Sequence, residues 1–405
     1  MRKLNYLFIA FLFIASCNSQ QSDSQQQIEE SDITSTKAKK PLPGAARFDQ
    51  YLPMLDGKGV ALVVNHTSVV EGVHLLDTLL SQGVDVKSIF APEHGFRGEA
   101  DAGATIDNSV DSKTGVPVIS VYGSKKKPDA EDLEGVDVVI FDIQDVGTRF
   151  YTYISTMHYI MEACSELDLE MLVLDRPNPN GDYVAGPIRE DDQESFVGKH
   201  PIPIVHGLTV AELAQMINGE GWLPNGDTCK LQVVTVENYD HSTPYSLPIA
   251  PSPNLPNDAA IRLYPSLCLF EGTMMSIGRG TDFPFQVIGY PDSTYGDFQF
   301  TPVSMPGKST HPKHEDKACY GIDLRQTSLD HEFTLEFVMD FYQKANNHEQ
   351  FINRSSAFNR LAGTTSLQAQ LKQGLSKEEI YQSWEAGLQA YKSMRKKYLL
   401  YPDFE

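Results

Sequence analysis

The chain holds 405 residues, 41% of them hydrophobic and 21% charged, enough for two domains or one large one with an appendage. Against 33 Lys and Arg stand 54 Asp and Glu, a formal net charge of −21. A polyanion of that size repels phosphate backbones, which makes nucleic acid a poor partner.

Arg2 and Lys3 precede the apolar run Leu4 to Ala15, too short to cross a bilayer comfortably but suited to a signal-peptide core. The run ends in Ile14-Ala15-Ser16-Cys17, which resembles a bacterial lipoprotein cleavage box. Residues 1–16 then form the signal peptide, and Cys17 becomes the lipid anchor. An ordinary secretory signal with an incidental cysteine is the alternative. Up to about residue 44 the sequence is rich in Gln, Ser and Glu and reads as a disordered tether. The expected location is the bacterial envelope, periplasm or outer membrane, with the membrane as partner through the anchor. Cys164, Cys229, Cys268 and Cys319 lack metal-ligand spacing and are expected as buried free thiols.

From residue 45 to 248, short β-branched runs alternate with amphipathic stretches. Strands are predicted at Val60–Val64, Val86–Phe90, Val118–Val121, Val136–Phe141, Met171–Leu174 and Leu231–Val236. Helices are predicted at Val73–Ser81, Tyr153–Leu167 and Thr209–Asn218, the last opened by a Thr209/Glu212 capping box. Continuously apolar strands between helices imply a doubly wound, Rossmann-like, mostly parallel sheet covered on both faces. No glycine-rich nucleotide motif follows the first strand, so the layout is not nucleotide-binding by motif. After the turn-rich Pro251–Asn257 the rhythm changes, and a smaller α+β domain is expected over 249–405. Its helices are predicted at Leu335–Ala345, Leu367–Gln373 and Lys377–Lys397.

Ligands of open parallel sheets bind beyond the carboxyl ends of the strands. Asn65 and His66 follow the first strand, and Glu93, His94 and Arg97 follow the second of those runs. Asp142, Gln144, Asp145, Arg149 and Tyr151 follow the run ending at Phe141, and Asp175, Arg176 and Asn178 follow the run ending at Leu174. Hydrolysis of a glycosidic bond typically uses two carboxyl groups, one of them the acid. Glu93, beside Pro92 and near Phe96, suits the acid role; its alternative is a pairing with Arg97 or His94 that ties down the loop. Asp142, Asp145 and Asp175 are candidates for the second carboxylate, and each can instead cap a following helix. Asp175 and Arg176 can also form a local salt bridge. Arg149, Arg176 and Arg279 offer guanidinium forks for a substrate carboxylate, or for the protein's own acids. Tyr151 and Tyr153 offer a sugar-stacking face or plain core. Lys125, Lys126 and Lys127 read as a solvated loop. His66, His94 and Asp142 are a conceivable metal set, though their spacing matches no recognised one.

Six ordered motifs carry a resemblance over about residues 50 to 400. They are Ala91-Pro92-Glu93-His94-Gly95-Phe96-Arg97-Gly98, Phe141 through Tyr153, and Leu174-Asp175-Arg176-Pro177-Asn178-Pro179. Pro251-Ser252-Pro253-Asn254-Leu255-Pro256, Phe270-Glu271-Gly272, and Ser276 through Thr281 with Pro284-Phe285 complete them. Together they resemble the NamZ-type exo-β-N-acetylmuramidases. The resemblance implies a Rossmann-like domain joined to a smaller α/β domain, with the site in the cleft between them. It implies release of terminal N-acetylmuramic acid from peptidoglycan fragments, without a cofactor, and Glu93 as the catalytic acid. The remaining motif residues, Asn254 and Glu271 among them, would line the pocket. Gln144, Asn178 or Asn254 would meet the acetamido group, and Arg149, Arg176 or Arg279 the lactyl carboxylate. Ile277 departs from the Glu expected in its motif. The rival expectations are a non-catalytic lipoprotein that binds muropeptides and a metal-dependent deacylase of wall material.

Overall fold

A computed structural model describes residues 39–93, 96, 108–328, 330 and 332–405, and Lys40–Glu405 folds as one compact unit. The first strands are β1 (Gly59–Val64), the two-residue β2 (Val69–Val70) and β3 (Val73–His74), β4 (Asp85–Ala91) and β5 (Ser109–Val110). Then follow β6 (Pro117–Ser120), β7 (Val138–Asp142), β8 (Glu170–Leu174) and β9 (Lys230–Val234). The helices among them are α1 (Phe48–Tyr51), α2 (Leu75–Ser81), α3 (Tyr153–Glu166) and α4 (Val210–Gly219).

Seven strands form one sheet in the order β5-β6-β4-β1-β7-β8-β9, all parallel except the edge strand β5. The chain starts at β1, winds outward through β4 to β6, then returns to β7 and winds the other way, the doubly wound order expected. β1 and β7 are buried along their whole length because both faces are covered. Val60, Leu62 and Val64 face α1 and α2 with Leu75, Leu76 and Leu79, while Ala61 and Val63 alternate into the opposite core with Phe141 and Met157. That second core is continuous with Phe270, Phe285, Phe341 and Phe358 of the C-terminal region. α3 is buried nearly all round, with Ser155, Thr156, His158 and Glu162 among its buried residues beside the apolar ones.

Thr209 opens α4 with the predicted capping box: its side chain accepts from the Glu212 amide, and the Glu212 carboxylate accepts from the Thr209 amide. The predicted helix at Val73 begins two residues later. Val73 and His74 pair with β2, and His74 Nδ1 then accepts from Leu76 N as the cap of α2.

The smaller second domain carries a separate antiparallel sheet of β10 (Val287–Tyr290), β11 (Phe298–Phe300) and β12 (Cys319–Asp323), with β12 central. Its helices are α5 (Asp258–Leu267), α6 (Glu336–Lys344), α7 (His348–Phe351), α8 (Ser355–Ala362), α9 (Ser366–Gln373) and α10 (Lys377–Arg395). Ile277 is buried in the shared core. Cys164, Cys229, Cys268 and Cys319 are all buried and free.

Candidate active site

The winding reverses between β1 and β7, the point of an open parallel sheet where ligands are expected to bind between the departing loops. Those loops are fixed to each other. Thr67 bonds Asn65 Oδ1 through its amide and hydroxyl (2.9 and 2.6 Å), and its hydroxyl accepts from Gln144 N (3.1 Å). The Ser68 hydroxyl donates to the Asp142 carbonyl. His66 Nε2 lies 2.9 Å from the Ala250 carbonyl, and Tyr151 donates to the Pro251 carbonyl (2.9 Å), which fixes the 249–257 connector to the rim.

Glu93, two residues past β4, is partly exposed. Its Oε2 accepts from Thr152 Oγ1 at 2.9 Å. The Tyr122 hydroxyl faces the same carboxylate; burial, then the Glu93 charge and its hydrogen bonding, raise that phenol above its usual range. Burial chiefly, and Glu93 next, raise Tyr153 as well, while the Asn65 amide acts in the opposite sense. Tyr151 meets Tyr153 edge-on with ring centroids 4.9 Å apart, and Tyr264 lies 5.9 Å from Tyr151. Tyr264 in turn meets Phe285 at 4.9 Å, and the Arg279 guanidinium sits 5.0 Å over the Phe285 ring. The Tyr264 hydroxyl, raised mainly by burial, feels both Arg279 and Glu93. A row of buried aromatic rings thus joins the carboxylate of the first domain to a cation of the second.

Arg279 donates through Nε to Glu271 Oε1 (2.5 Å) and keeps 28% of its side chain exposed. Glu271 is held against Arg279 and beside Lys313, whose ammonium donates to the carbonyls of Phe270, Glu271, Thr273 and Met275. The Arg279 and Lys313 charges hold the Glu271 carboxyl below the usual range despite its burial.

Asp142, Gln144, Asp145, Arg149, Tyr151, Asp175, Arg176, Asn178 and Asn254 are buried, while His66 is partly exposed. Asp142 is fully buried and takes a bidentate pair from Arg176, Nε to Oδ1 at 2.5 Å and Nη2 to Oδ2 at 2.9 Å. The partner of Arg176 is therefore Asp142 rather than the adjacent Asp175, and neither group presents itself to a sugar. Asp175 accepts from Tyr401 (2.6 Å) and from the Ala211 amide in the first turn of α4 (3.1 Å). The helix-end role is thus the one this geometry fills, and burial raises the Asp175 carboxyl to about 7. Of the three carboxylates expected around one hollow, Glu93 alone is partly exposed.

Arg149 is swallowed whole. Its Nη1 donates to the carbonyls of Pro187 and Ile202 and its Nη2 to that of Leu361, each at 2.8 Å. Burial, with the nearby Arg189, lowers its pKa to about 9. It ties the loop after β7 to α8 and cannot serve a lactyl carboxylate. Gln144 Nε2 donates to the carbonyls of Asp145 and Pro177 (both 2.8 Å), and Asn178 Nδ2 to that of Leu208 (2.9 Å). Asn254 Nδ2 donates to the Lys308 carbonyl (2.9 Å). These amides shape the rim. Asn178 also lines a separate cavity of about 260 Å³ with Asp182, His241, Tyr245, Asp258 and Arg262; Glu93 does not line it. His94 and Arg97 lie outside the described residues, as does Cys17.

Asp145 Oδ2 accepts from the Gly147 amide at 2.6 Å, in a turn where Gly147 has φ +74° and an added Cβ would lie 2.2 Å from Asn178 Oδ1. Asp145 Oδ1 has no hydrogen-bond partner among the described residues, and burial raises the carboxyl to about 7. No cluster of three metal-ligating side chains occurs among the described residues. Of the conceivable metal set, Asp142 is bound to Arg176 and His66 to Ala250. Sequence reasoning missed Tyr122 and Tyr264, solitary residues whose only signal is position next to a strand end or in a helix, and gave Thr152 no role of its own within the Phe141-to-Tyr153 motif.

Two family models match the chain. "Exo-beta-N-acetylmuramidase NamZ, N-terminal" covers residues 60–259, and the corresponding C-terminal model covers residues 262–401. The peptidoglycan β-N-acetylmuramidase NamZ of Bacillus subtilis (strain 168) is 37% identical, over 99% of this chain and 100% of the relative. The crystal structure of a DUF1343 family protein from Bacteroides fragilis superposes with TM-score 0.84 at 45% identity, covering 90% of this chain and 100% of that one. A second DUF1343 family protein of that organism superposes with TM-score 0.77 at 28% identity, covering 89% and 99%. Rim, aromatic row and matched sequence run together along the chain, and the chain belongs to the NamZ exo-β-N-acetylmuramidase family.

Proposed function

We propose that the chain is an exo-acting glycoside hydrolase that releases N-acetylmuramic acid from the non-reducing ends of peptidoglycan fragments, with Glu93 as general acid. The observation that carries this is the pairing of one partly exposed carboxylate, Glu93, with one partly exposed guanidinium, Arg279, across buried tyrosines. The named activity of the Bacillus relative agrees with it.

In this reading the Glu93 carboxyl delivers a proton to the glycosidic oxygen as its bond to the anomeric carbon breaks, and the leaving sugar departs as an alcohol. Water then adds to the anomeric carbon of the oxocarbenium-like centre and gives up its proton to solvent, from which the Glu93 carboxylate is reprotonated. Thr152, donating to Oε2, fixes the carboxyl plane. Arg279, already anchored on Glu271, turns its remaining N–H groups toward the lactyl carboxylate, which a plain N-acetylglucosamine lacks. The aromatic wall keeps the electrostatic interactions in a water-poor setting.

Glu93→Gln tests the acid role. On a muramyl-glucosaminyl disaccharide the loss should be about 10²- to 10⁴-fold, the range of general acid catalysis. On 4-nitrophenyl N-acetylmuraminide, whose leaving group needs little protonation, the loss should be clearly smaller. Near-normal cleavage of the disaccharide would refute the assignment.

For location we propose that Cys17 carries the lipid and that the tether ends where the compact unit begins, at Lys40. Cys17→Ser should move the protein from the detergent-extracted membrane fraction to the soluble one; unchanged fractionation refutes the anchor.

A further inference from the structure

Tyr122 leads from the acid onto a second set of rings. Its centroid lies 5.8 Å from that of Phe196, and Phe196 stacks on Tyr159 at 6.3 Å with planes 18° apart. All three rings are half-buried. Phe196 stands in a tight turn closed by mutual backbone bonds between Ser195 and Gly198, and its carbonyl accepts from Ser155 on α3 (2.8 Å). Two cations lie over the rings, Lys126 Nζ at 4.9 Å from Phe196 and Lys199 Nζ at 5.2 Å from Tyr159.

The three consecutive lysines differ in one respect. Lys125 pairs with Asp129 and Asp132, and Lys127 with Glu166 and Glu162. Lys199 pairs with Glu194 at 2.9 Å. Lys126 has no carboxylate partner among the described residues, in a chain of net charge −21. An unpaired cation beside half-exposed rings, continuous with the acid, suits a ligand with an apolar face and a carboxylate.

Resting on the muramidase reading, we infer that Tyr122, Phe196 and Tyr159 form a platform for the leaving side of the glycan. On this platform Lys126 binds the lactyl carboxylate of the next N-acetylmuramic acid along the chain. The direction follows from the acid itself. Glu93 must touch the glycosidic oxygen, and Arg279 is assigned to the carboxylate of the sugar that is released, so the rings that reach Glu93 through Tyr122 are assigned to what leaves. The first ring accepts the face of the N-acetylglucosamine just beyond the cleaved bond. The following muramyl unit then brings its carboxylate to Lys126.

Three substrates separate the steps: 4-nitrophenyl N-acetylmuraminide, which ends at the cleaved bond; MurNAc-GlcNAc-GlcNAc; and MurNAc-GlcNAc-MurNAc. The wild type should prefer the last over the second by about tenfold in kcat/KM, the scale of one charge-assisted contact. Lys126→Met keeps the apolar stem over Phe196 and should erase that preference through KM. Phe196→Ala should raise KM for both trisaccharides by several-fold or more, the scale of a lost stacking partner. Both variants should cleave the nitrophenyl glycoside within about twofold of wild type, which also reports an intact fold. The platform is refuted if the variants match wild type on all three substrates, or if they lose equally on all three. Absence of any cleavage by wild type would instead overturn the muramidase reading, and the platform with it.

Discussion

Asp145 is a buried carboxylic acid with half of its hydrogen-bonding capacity unused, and this makes its protonation measurable as stability. Oδ2 accepts from Gly147, Oδ1 meets no donor among the described residues, and His206 Nε2 stays 3.9 Å away. Burial lowers the His206 pKa to about 3, so no imidazolium compensates the carboxylate near neutrality. Burial raises Asp145 from 3.8 to about 7. A group whose pKa is raised on folding stabilises fully below its unfolded pKa, and that stabilisation is lost as pH rises through the folded value. At about 1.4 kcal/mol per unit, folding should lose roughly 2 to 3 kcal/mol between pH 5 and 8 from this group alone. Asp145→Asn keeps an oxygen for Gly147 and cannot ionise. Urea unfolding of both proteins at pH 5, 6, 7 and 8 isolates the effect, because Asp175 titrates in the same window in both and cancels. The wild type should lose ground to the variant most steeply between pH 5 and 7 and level off toward pH 8. Parallel stability curves would refute the buried neutral acid.

Breaking the Asp142–Arg176 pair by Arg176→Met should cost about 3 to 5 kcal/mol in urea unfolding, since it leaves one charge buried without its counter-ion. Replacing both partners with apolar residues of similar volume should recover most of that loss. A single variant as stable as wild type would show the pair to be solvated. Arg279→Ala should reduce kcat/KM on 4-nitrophenyl N-acetylmuraminide by about 10- to 100-fold, the value of a hydrogen-bonded charge, mainly through KM. The same variant assayed on the substrate's lactyl amide should show little further loss. An equal loss on acid and amide would remove Arg279 from carboxylate recognition.

The parallel sheet was legible because strands covered on both faces are continuously apolar, as in Val60–Val64 and Val138–Phe141. Glu93 was legible for a related reason: the sheet order makes strand ends converge, so the residue after β4 had to reach the rim. The second sheet was not. Its strands are short and carry Gly289 and Gly321, where an added Cβ would lie 2.6 Å from Phe300 and 1.8 Å from the Ile288 carbonyl respectively. Close backbone approach thus required residues that read as loop. α5 was hidden by Pro265 and by the turn-rich segment before it. The fates of the arginines were beyond any local pattern. Arg149 is claimed by carbonyls 38, 53 and 212 residues away, and Arg176 by an aspartate 34 residues away. Which guanidinium stays available depends on which acids and carbonyls the fold has already assigned to the others.

That assignment also explains how an acidic chain can bind an acidic sugar. The net charge of −21 opposes an incoming muramyl carboxylate at long range, yet salt screens exposed charges beyond about 10 Å. What the ligand meets at close range is set by the buried groups. Asp142 is neutralised by Arg176, and Asp145 and Asp175 hold protons up to about 7. Glu271 occupies only one N–H of Arg279 at the partly exposed end of the aromatic row. Asp142, Asp145 and Asp175 have been paired or kept neutral by burial, and two partly exposed cations, Arg279 and Lys126, stand on opposite sides of Glu93 in the reading developed above. In the muramidase reading proposed above, burial of Asp142, Asp145 and Asp175 would also serve substrate selection, because an exposed carboxylate near the rim would stand against the group that distinguishes muramic acid from glucosamine.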